Sequence, residues 1–463
     1  MKHKIDLSIL NLLEKPVPSH VAELHRRLTS HGFQCHLVGG CVRDLLLGRK
    51  VQDVDITTDA RPEDVVRIFR RTVPTGLKHG TVTVLLDSHP YEVTTYRTES
   101  EYTDARRPDR IEYASTLEED LSRRDFTINA LALNPATGEL IDEFDGQADL
   151  ERRIIRTIGR PEDRFFEDGL RPVRACRFRA TLGFRIEKET HDAMLREDIR
   201  SRMKGVAIER FSDELWKGLK ASHPSPMFEA MQEADLLSIF VPCATPQPVS
   251  FLESLNAFAD PVFRLALWLD RASSEPERCA KHLRLPGAII RRIVLYGALF
   301  RLLESFDGDS IFDLEDAQKA ALEKSRWRRL LGRFKKELRS EGDPAPAIFL
   351  EAASAFIKET AVTLPHFSGN PIDVDADCPA QPQSGGIVAE RLTAHYDWMM
   401  RSLATEPLLI TDLAINGNDL QQLGFRGAEL GALLQLLLDR IHIEPSLNTK
   451  ERLLEEVERQ RKS

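Results

Sequence analysis

Residues 35–58, which read CHLVGGCVRDLLLGRKVQDVDITT, constrain the fold of this 463-residue chain more than any other stretch. A short apolar run at 36–38 leads into Gly39 and Gly40, apolar residues at helical spacing follow, and a second alternating run covers 51–56. The pattern predicts strand, glycine turn, helix and strand. Glycines at such a junction leave the backbone open to a polyphosphate, and the following helix offers unpaired N–H groups to it.

Two carboxylates follow on the second predicted strand. Asp53 and Asp55 lie two residues apart, so both side chains point to one face of a strand. Two like charges this close are costly unless a cation lies between them. A lone Gly-Gly is usually a turn and a lone Asp-x-Asp is usually surface, but the two together in this order are far more specific. They predict a Mg²⁺ site beside a phosphate cradle, which is the equipment for nucleotidyl transfer.

The Gly-Gly pair, Arg43 with its neighbour Asp44, and residues 53–55 resemble the first motif of the nucleotidyltransferase superfamily. The form is that of bacterial class II tRNA CCA-adding enzymes and their poly(A) polymerase relatives. The resemblance implies that the glycines and Arg43 position a nucleoside triphosphate and that two Mg²⁺ ions serve as cofactors.

Composition sets broader limits. A chain of this length predicts about three or four domains. With 42% hydrophobic and 30% charged residues it has the balance of an ordinary soluble protein, and a net charge of −9 argues against coating nucleic acid by bulk electrostatics. The six cysteines show no CxxC pairing, and no apolar stretch reaches the roughly 18 residues of a membrane span. We therefore expect a cytoplasmic protein.

Two segments after the acidic pair carry further predictions. The run at 91–97 is predicted to be a strand that carries Glu92, whose place resembles that of the family's third acidic residue, although a glutamate on an edge strand is more often only solvated. The polar, turn-rich residues 97–121 predict a surface loop. In the resemblance this loop matches one that CCA-adding enzymes retain and that enzymes adding only CC have shortened.

Residues 123–130, RRDFTINA, are strongly characteristic of the same family. Arg123 and Arg124 supply planar, permanently charged forks for triphosphate oxygens, and Asp125 can fix one of them or bind a ribose hydroxyl. Asp125 could equally be the N-cap of a helix. The resemblance implies that Asn129 also belongs to the nucleotide site.

From residue 152 the pattern turns helical and stays so, which predicts a domain boundary near residue 150. Asp168 and Arg171, at i and i+3, would lie on one face of a helix. An acceptor beside a donor can hydrogen-bond cytosine and adenine and mismatches uracil and guanine. An isolated DxxR pair is usually a plain surface ion pair.

Context favours the functional reading. Residues 167–171 resemble the family's EDxxR nucleobase-selecting motif, and Arg174 and Arg177 extend a basic strip suited to phosphates. Residues 207–215 resemble the motif that closes the neck domain and would brace the nucleobase-binding helix.

The C-terminal half offers softer signals. Residues 324–339 predict a helix dense in lysine and arginine, with Trp327 and Phe334 interleaved, which is either a solvated face or an RNA contact. The candidates for RNA contact are Lys324, Arg328, Arg329 and Lys335. Residues 410–441 resemble the tail of bacterial CCA-adding enzymes, which supports the tRNA elbow and T-arm.

The predicted fold class is therefore α+β, a mixed α/β nucleotidyltransferase head followed by helical domains. The predicted divisions are a catalytic head (1–150), a neck (151–220), a helical body (221–367), a linker or long loop (368–386) and a tRNA-binding tail (387–463).

The predicted activity is template-independent addition or repair of the 3′-terminal CCA of tRNA from CTP and ATP, with release of pyrophosphate. The tRNA partner would be bound at its acceptor stem and T-arm. The alternatives are a poly(A) polymerase, an enzyme that adds only A or only CC, and a catalytically silent RNA-binding protein.

Overall fold

The computed structural model describes residues 2–14, 17–51, 53–76, 80–100, 110–304, 317–339, 397–399 and 401–462. The chain divides into two compact units, Met1–Glu253 and Ser254–Ser463. A mixed sheet with surrounding helices forms the first unit, and the described part of the second is helical, so the predicted α+β class is confirmed. Among the described residues no helix combines the length and apolarity needed to cross a bilayer.

The first unit is built on an eight-stranded sheet and two small two-stranded ones. The strands are β1 (Lys2–Lys4), β2 (His36–Val38), β3 (Asp55–Thr58), β4 (Thr72–Gly76), β5 (Thr81–Leu86), β6 (His89–Thr95), β7 (Arg97–Ser100), β8 (Arg110–Tyr113), β9 (Leu131–Leu133), β10 (Glu139–Asp142), β11 (Ile154–Ile155) and β12 (Arg185–Ile186). The large sheet has the order β1-β10-β9-β2-β3-β6-β5-β4, while β7 pairs with β8 and β11 with β12.

The register of the central strands places the acidic residues. β3 runs antiparallel to β2 and parallel to β6, with Asp55 opposite Val38 on one side and Glu92 on the other. Gly39 follows Val38 directly, so the glycine turn lies beside Asp55 at this end of the strand. A buried apolar cluster that includes Leu121 supports this region.

Strand predictions were right in type and partly wrong in extent. The strand predicted at 51–56 is β3, which begins at Asp55, so Asp53 precedes the strand instead of lying within it. Glu92 is not on an edge strand, because β6 lies between β3 and β5. The run predicted at 91–97 breaks into β6 and β7, and the loop prediction for 97–121 falls partly on residues 101–109, which lie outside the described residues.

Thirteen helices accompany the sheets in the described part of this unit and reach its boundary. They are α1 (Val17–Ser30), α2 (Gly40–Leu46), α3 (Pro62–Ile68), α4 (Leu117–Ser122), α5 (Gly146–Arg152), α6 (Pro161–Glu167), α7 (Arg171–Leu182), α8 (Lys188–Met194), α9 (Glu197–Met203), α10 (Ile208–Leu219), α11 (Ser225–Glu233), α12 (Leu237–Phe240) and α13 (Val249–Ser254). The prediction that the chain is wholly helical beyond residue 152 is wrong at β11 and β12, which pair in parallel.

The described part of the second unit contains α14 (Pro261–Ala272), α15 (Pro276–His282), α16 (Gly287–Glu304), α17 (Ala317–Arg339), a helix that includes 401–405, α18 (Gly417–Gln422), α19 (Ala428–Ile443) and α20 (Lys450–Lys462). A leucine-rich core that includes Leu437 and Leu420 joins α18, α19 and α20. The linker predicted at 368–386 lies outside the described residues.

Candidate active site

One cleft in the first unit gathers the predicted nucleotide residues. It has a volume of about 430 Å³, within the range of small-molecule sites. Its walls include all eleven of the residues that the sequence assigned to nucleotide binding, namely Gly39, Gly40, Arg43, Arg123, Arg124, Asp125, Asn129, Asp168, Arg171, Arg174 and Arg177. Asp55, Leu170, Phe178 and Arg210 complete the lining. Seven arginines face three aspartates there, an excess of positive charge suited to a polyphosphate.

The glycine turn is shaped by the guanidinium beside it. Gly39 has φ = +76°, a conformation that favours glycine. A Cβ at this position would lie 2.9 Å from Arg124 Nη1 and 3.7 Å from Asp55 Oδ2. The absence of a side chain therefore lets an arginine and a carboxylate approach the same backbone.

The two aspartates fit a magnesium site. Burial raises the pKa of Asp55 above its ordinary value; Arg124 opposes this effect and nearby Asp53 adds to it. A bound divalent cation would relieve the repulsion between the two carboxylates. Among the described residues no three histidine, cysteine or acidic side chains are grouped to hold a metal without help. Mg²⁺ in proteins is typically bound by one or two carboxylates, and substrate phosphates and water complete its coordination shell.

Glu92 stands apart from the cleft. It is exposed and lies opposite Asp55 in the register of the sheet, but it is not among the residues that line the cleft. Its neighbours Tyr91 and Val93 are buried and fix the strand. The register brings Glu92 beside the acidic pair, and its catalytic role stays a prediction.

The adjacent arginines are held by a buried carboxylate that the sequence analysis missed. Asp120, at the end of α4, accepts hydrogen bonds from Arg123 Nε and Nη2 at 3.0 and 2.9 Å and from Arg124 Nη2 at 3.4 Å. The side chain of Asp120 is completely buried. Spacings of three and four residues on a helical segment were the available signal.

Asp125 fixes an arginine, but not one of its two neighbours. Its Oδ2 accepts from Arg174 Nε at 2.8 Å, and its Oδ1 accepts from Phe126 N and from Asn129 Nδ2 at 2.8 and 2.9 Å. Burial opposes ionisation, yet the charge of Arg174 and the Asn129 bond lower the pKa of Asp125 to about 2. Asp125 is not a helix cap, because only a single 3₁₀ turn, Thr127–Asn129, follows.

An aromatic ring orders the remaining guanidinium groups. Arg43 donates from Nη1 to Asn129 Oδ1 at 2.6 Å and forms an ion pair with Asp44. The guanidinium carbon of Arg177 lies 3.7 Å from the centre of the Phe178 ring, and that of Arg43 lies 5.1 Å from it. Cation–π contact of this kind stabilises arginine against an aromatic face. Phe178 was also missed, because its apolar character alone predicts only core.

The prediction that Asp168 and Arg171 share a helix face is wrong. α6 ends at Glu167 and α7 begins at Arg171, so a turn separates the pair. Arg171 Nη1 donates to Glu167 at 2.7 Å and Nη2 donates to the carbonyl oxygen of Arg123 at 2.8 Å. Asp168 instead accepts two bonds from Arg210, at 2.8 and 3.2 Å. All of these except Glu167 line the cleft.

The closing neck motif braces α7 through Glu214. This buried carboxylate accepts a hydrogen bond from Arg177 Nε and lies 3.8 Å from Arg174 Nη1. Two of the arginines on the cleft wall are thus oriented by α10, as expected for the segment at 207–215.

The basic helix of the second unit shows a different use for its charges. Trp327 and Phe334 are buried, so they are not interleaved on an exposed face. Arg328 is also buried, where it pairs with Glu406 at 2.6 Å. Lys335, half-buried, pairs with Asp412 at 3.1 Å, while Arg329 is exposed and Lys324 is half-buried. The roles of the four as RNA contacts remain predictions.

Comparison with known proteins identifies the class of protein to which this chain belongs. Residues 35–156 match the family described as "Poly A polymerase head domain", and residues 183–247 match "Probable RNA and SrmB- binding site of polymerase A". The basic cleft and this head together define a nucleotidyltransferase. A solved structure, the Bacillus stearothermophilus CCA-adding enzyme in complex with CTP, superposes with a TM-score of 0.66 at 28% identity, over 97% of this chain and 100% of that one.

Two curated relatives narrow the class to a family. The CCA-adding enzyme of Bacillus velezensis is 42% identical over 272 residues, which span 57% of this chain and 68% of the relative. The CCA-adding enzyme of Lactobacillus delbrueckii subsp. bulgaricus is 50% identical over 191 residues, 41% of this chain and about half, 48%, of the relative. The chain belongs to the family of CCA-adding enzymes, the tRNA nucleotidyltransferases.

Proposed function

We propose that this protein completes or repairs the 3′-terminal CCA of tRNA from CTP and ATP and releases pyrophosphate. The observation that carries the proposal is the cleft, where every predicted nucleotide residue lies beside Asp55. Family membership supports it, and the solved Bacillus stearothermophilus relative has CTP as its ligand.

The arginines bind the triphosphate. Arg124 lies beside Gly39 and Arg43 beside Gly40, while Arg123 lines the same cleft. All three present permanently charged guanidinium groups to phosphate oxygens. Because Gly39 has no side chain, the triphosphate can approach the backbone there. These contacts are common to CTP and ATP, so they serve both additions.

The acidic pair belongs at the reacting end of the triphosphate. Asp53 and Asp55 would hold two Mg²⁺ ions, which when bound activate the RNA 3′-hydroxyl and neutralise the leaving pyrophosphate. The 3′-hydroxyl gives up its proton to solvent as its oxygen bonds to the α-phosphorus. The bond from that phosphorus to the oxygen bridging to the β-phosphate breaks, pyrophosphate leaves, and a cytidine or adenosine monophosphate unit joins the RNA. The guanidinium groups of Arg123 and Arg124 orient the departing diphosphate.

Selection of the base depends on hydrogen-bond acceptor and donor groups that residues of the predicted neck, 151–220, contribute to the cleft. The carboxylate of Asp168 can accept the exocyclic amino group of cytosine or adenine, and a guanidinium beside it can donate to the ring nitrogen. Arg171 was predicted for this donor role, and Arg210 lies close enough to Asp168 to share it. Uracil and guanine reverse the pattern and are rejected.

In the same proposal, the helical regions after the head contact the acceptor stem and T-arm of the tRNA. The proposed divisions are the head (1–150), neck (151–220), body (221–367), linker (368–386) and tail (387–463). Among the basic candidates in α17, exposed Arg329 and half-buried Lys324 are better placed to meet RNA than buried Arg328. Because tRNA, CTP and ATP meet in the cytoplasm, we place the activity there.

Incorporation of labelled CTP and ATP, singly and together, tests the function on a tRNA lacking CCA, a tRNA ending in CC, and an unstructured RNA. Ordered addition of CCA to the first and of A to the second, stopping there, is the expected result. Addition of A alone indicates a divided pathway, addition of CC alone indicates the shortened activity, and long A tracts on unstructured RNA indicate a poly(A) polymerase. No incorporation with intact RNA binding indicates a silent scaffold.

A further inference from the structure

Asp120 connects three elements around the cleft. Its Oδ1 accepts from both Arg123 nitrogens and from the backbone N–H of Arg97, the latter at 3.4 Å. Its Oδ2 accepts from Arg124 Nη2 at 3.4 Å and from Thr57 Oγ1 at 3.2 Å, a hydroxyl whose one proton is shared with the carbonyl oxygen of Thr94 at the same distance. These donors belong to the arginine pair, to the first residue of β7, and to the strand that carries Asp55.

The side chain of Asp120 is wholly buried, and isolated buried carboxylates are costly. Burial raises the pKa of Asp120, but Arg123 and Arg124 outweigh it and keep the pKa below the ordinary value. The group is therefore a fixed negative charge. Its two oxygens divide between two adjacent guanidinium groups, so one carboxylate sets the position of both forks.

We propose that Asp120 is a positioning residue that fixes Arg123 and Arg124 for the triphosphate and ties them through Thr57 to β3, the strand that carries Asp55. Asp120 itself does not line the cleft, so it acts through the arginines. The inference rests on the proposed function, since it assigns the triphosphate to this pair. Base selection is proposed for Asp168, whose hydrogen bonds come from Arg210 and Leu170 N and not from the arginine pair.

This separation makes a specific prediction for Asp120→Asn. The side chain keeps its shape and loses its charge, so the two guanidinium groups lose a charge-assisted anchor. Affinity for inorganic pyrophosphate, which carries neither base nor ribose, should fall by roughly ten-fold, about what 1.4 kcal/mol gives. The KM values for CTP and ATP should rise by a common factor, with the preference for CTP and ATP over UTP and GTP unchanged.

Asp149→Asn is the matched control. Asp149 is also a buried carboxylate of the first unit and holds Arg156 at 2.8 Å and the Thr127 hydroxyl at 2.6 Å, but it does not line the cleft or contact the arginine pair. Both variants should lose stability to denaturant. Only Asp120→Asn should lose pyrophosphate affinity, measured by calorimetry in Mg²⁺ buffer on the full chain.

The outcomes separate the inference from the proposed function. If Asp120→Asn binds pyrophosphate as tightly as the wild type does, the inference is overturned. This holds whatever activity the wild type shows in the RNA assay. An equal loss of pyrophosphate affinity in Asp149→Asn also overturns the inference, because a loss of stability alone would then explain the effect.

If Asp120→Asn does not fold, Thr57→Val is the deciding variant. This nearly isosteric change removes one donor to Asp120, and we expect a two- to three-fold loss of pyrophosphate affinity, roughly half of one hydrogen bond. Unchanged affinity rejects the role.

Discussion

Asp168 meets Arg210 across 42 residues of sequence, and this contact changes the account of base selection. These two bonds, with a third from Leu170 N to Asp168 Oδ1 at 3.0 Å, hold the carboxylate in one orientation at the cleft wall. In the proposed base selection, a carboxylate already in place binds the amino group of the base better, because ordering it on binding would cost affinity.

Arg210→Ala should therefore weaken discrimination more than it weakens triphosphate binding. We expect the ratio of kcat/KM for CTP over UTP to fall by about ten-fold, as for loss of one oriented hydrogen-bonding group. Arg200→Ala is the control, since Arg200 pairs with Asp235 at 2.6 Å outside the cleft. An unchanged CTP to UTP ratio in Arg210→Ala would leave Arg171 as the donor.

Asp53→Ala tests the acidic pair. Loss of one metal-binding carboxylate should lower kcat/KM for CTP addition by at least about a thousand-fold while tRNA affinity stays nearly intact. Asp64→Ala serves as the control, because Asp64 lies in α3 and pairs there with Arg67. Transfer assays beside filter binding give both quantities, and retained transfer by Asp53→Ala refutes the metal role.

At the scale of elements, the turn between β2 and α2 depends on one glycine. Gly39→Ala would force a side chain into a backbone with φ = +76° and ψ = −138°, a region that glycine alone adopts readily, and against Arg124 Nη1. Pyrophosphate affinity should fall in addition to stability. Gly183→Ala also places a side chain at positive φ, +70°, but in the left-handed α region with ψ = 28°, at a cost of about 1–2 kcal/mol, and its Cβ would meet only Arg153 Nη2 at 3.5 Å.

Calorimetric titration of both glycine variants with pyrophosphate, alongside urea unfolding, distinguishes strain from crowding at the site. The same affinity loss in both would show that the Gly39 effect is only a loss of stability. A loss confined to Gly39→Ala supports the close approach of the arginine to the backbone.

Local patterns predicted the elements that local chemistry controls. The short apolar run at 36–38 predicted β2, and the glycine pair predicted the turn before α2. The motif residues were predicted to act together, and the cleft does gather the eleven nucleotide candidates. Their roles await the experiments above.

Tertiary packing decided what the sequence could not show. The turn between α6 and α7 brings Gly169 so close to α9 that a Cβ there would lie 3.1 Å from the carbonyl oxygen of Arg202 and the Cα of Met203. A helix through this point would need space that α9 occupies. The spacing of Asp168 and Arg171 carries no information about that neighbour, so the shared helix face was predicted wrongly.

At the scale of the whole molecule, total charge and local charge differ in sign. The chain has a net charge of −9, yet seven arginines converge on one cleft. Buried carboxylates make this possible, because Asp120, Asp125 and Glu214 each hold arginines that would otherwise repel one another. Their pKa values are all lowered by those arginines despite burial, which opposes ionisation in each case.

Because arginines lower the pKa values of these carboxylates, the free energy of unfolding should depend on pH over a defined acidic range. The pKa of Asp125 is about 2 in the folded chain against an ordinary 3.8, so its contribution to the free energy of unfolding is complete above pH 3.8 and is lost as the pH falls towards 2. Asp125→Asn should lower the free energy of unfolding by about 2 kcal/mol at pH 6, and that difference should shrink below pH 4.

Asp163→Asn is the control, because Asp163 is exposed and lies 4.0 Å from Arg160. We expect no measurable change in its free energy of unfolding. Urea unfolding of the three proteins from pH 3 to pH 7 measures the effect. A difference between wild type and Asp125→Asn that stays constant across this range would show that the ion pair with Arg174 adds nothing to stability.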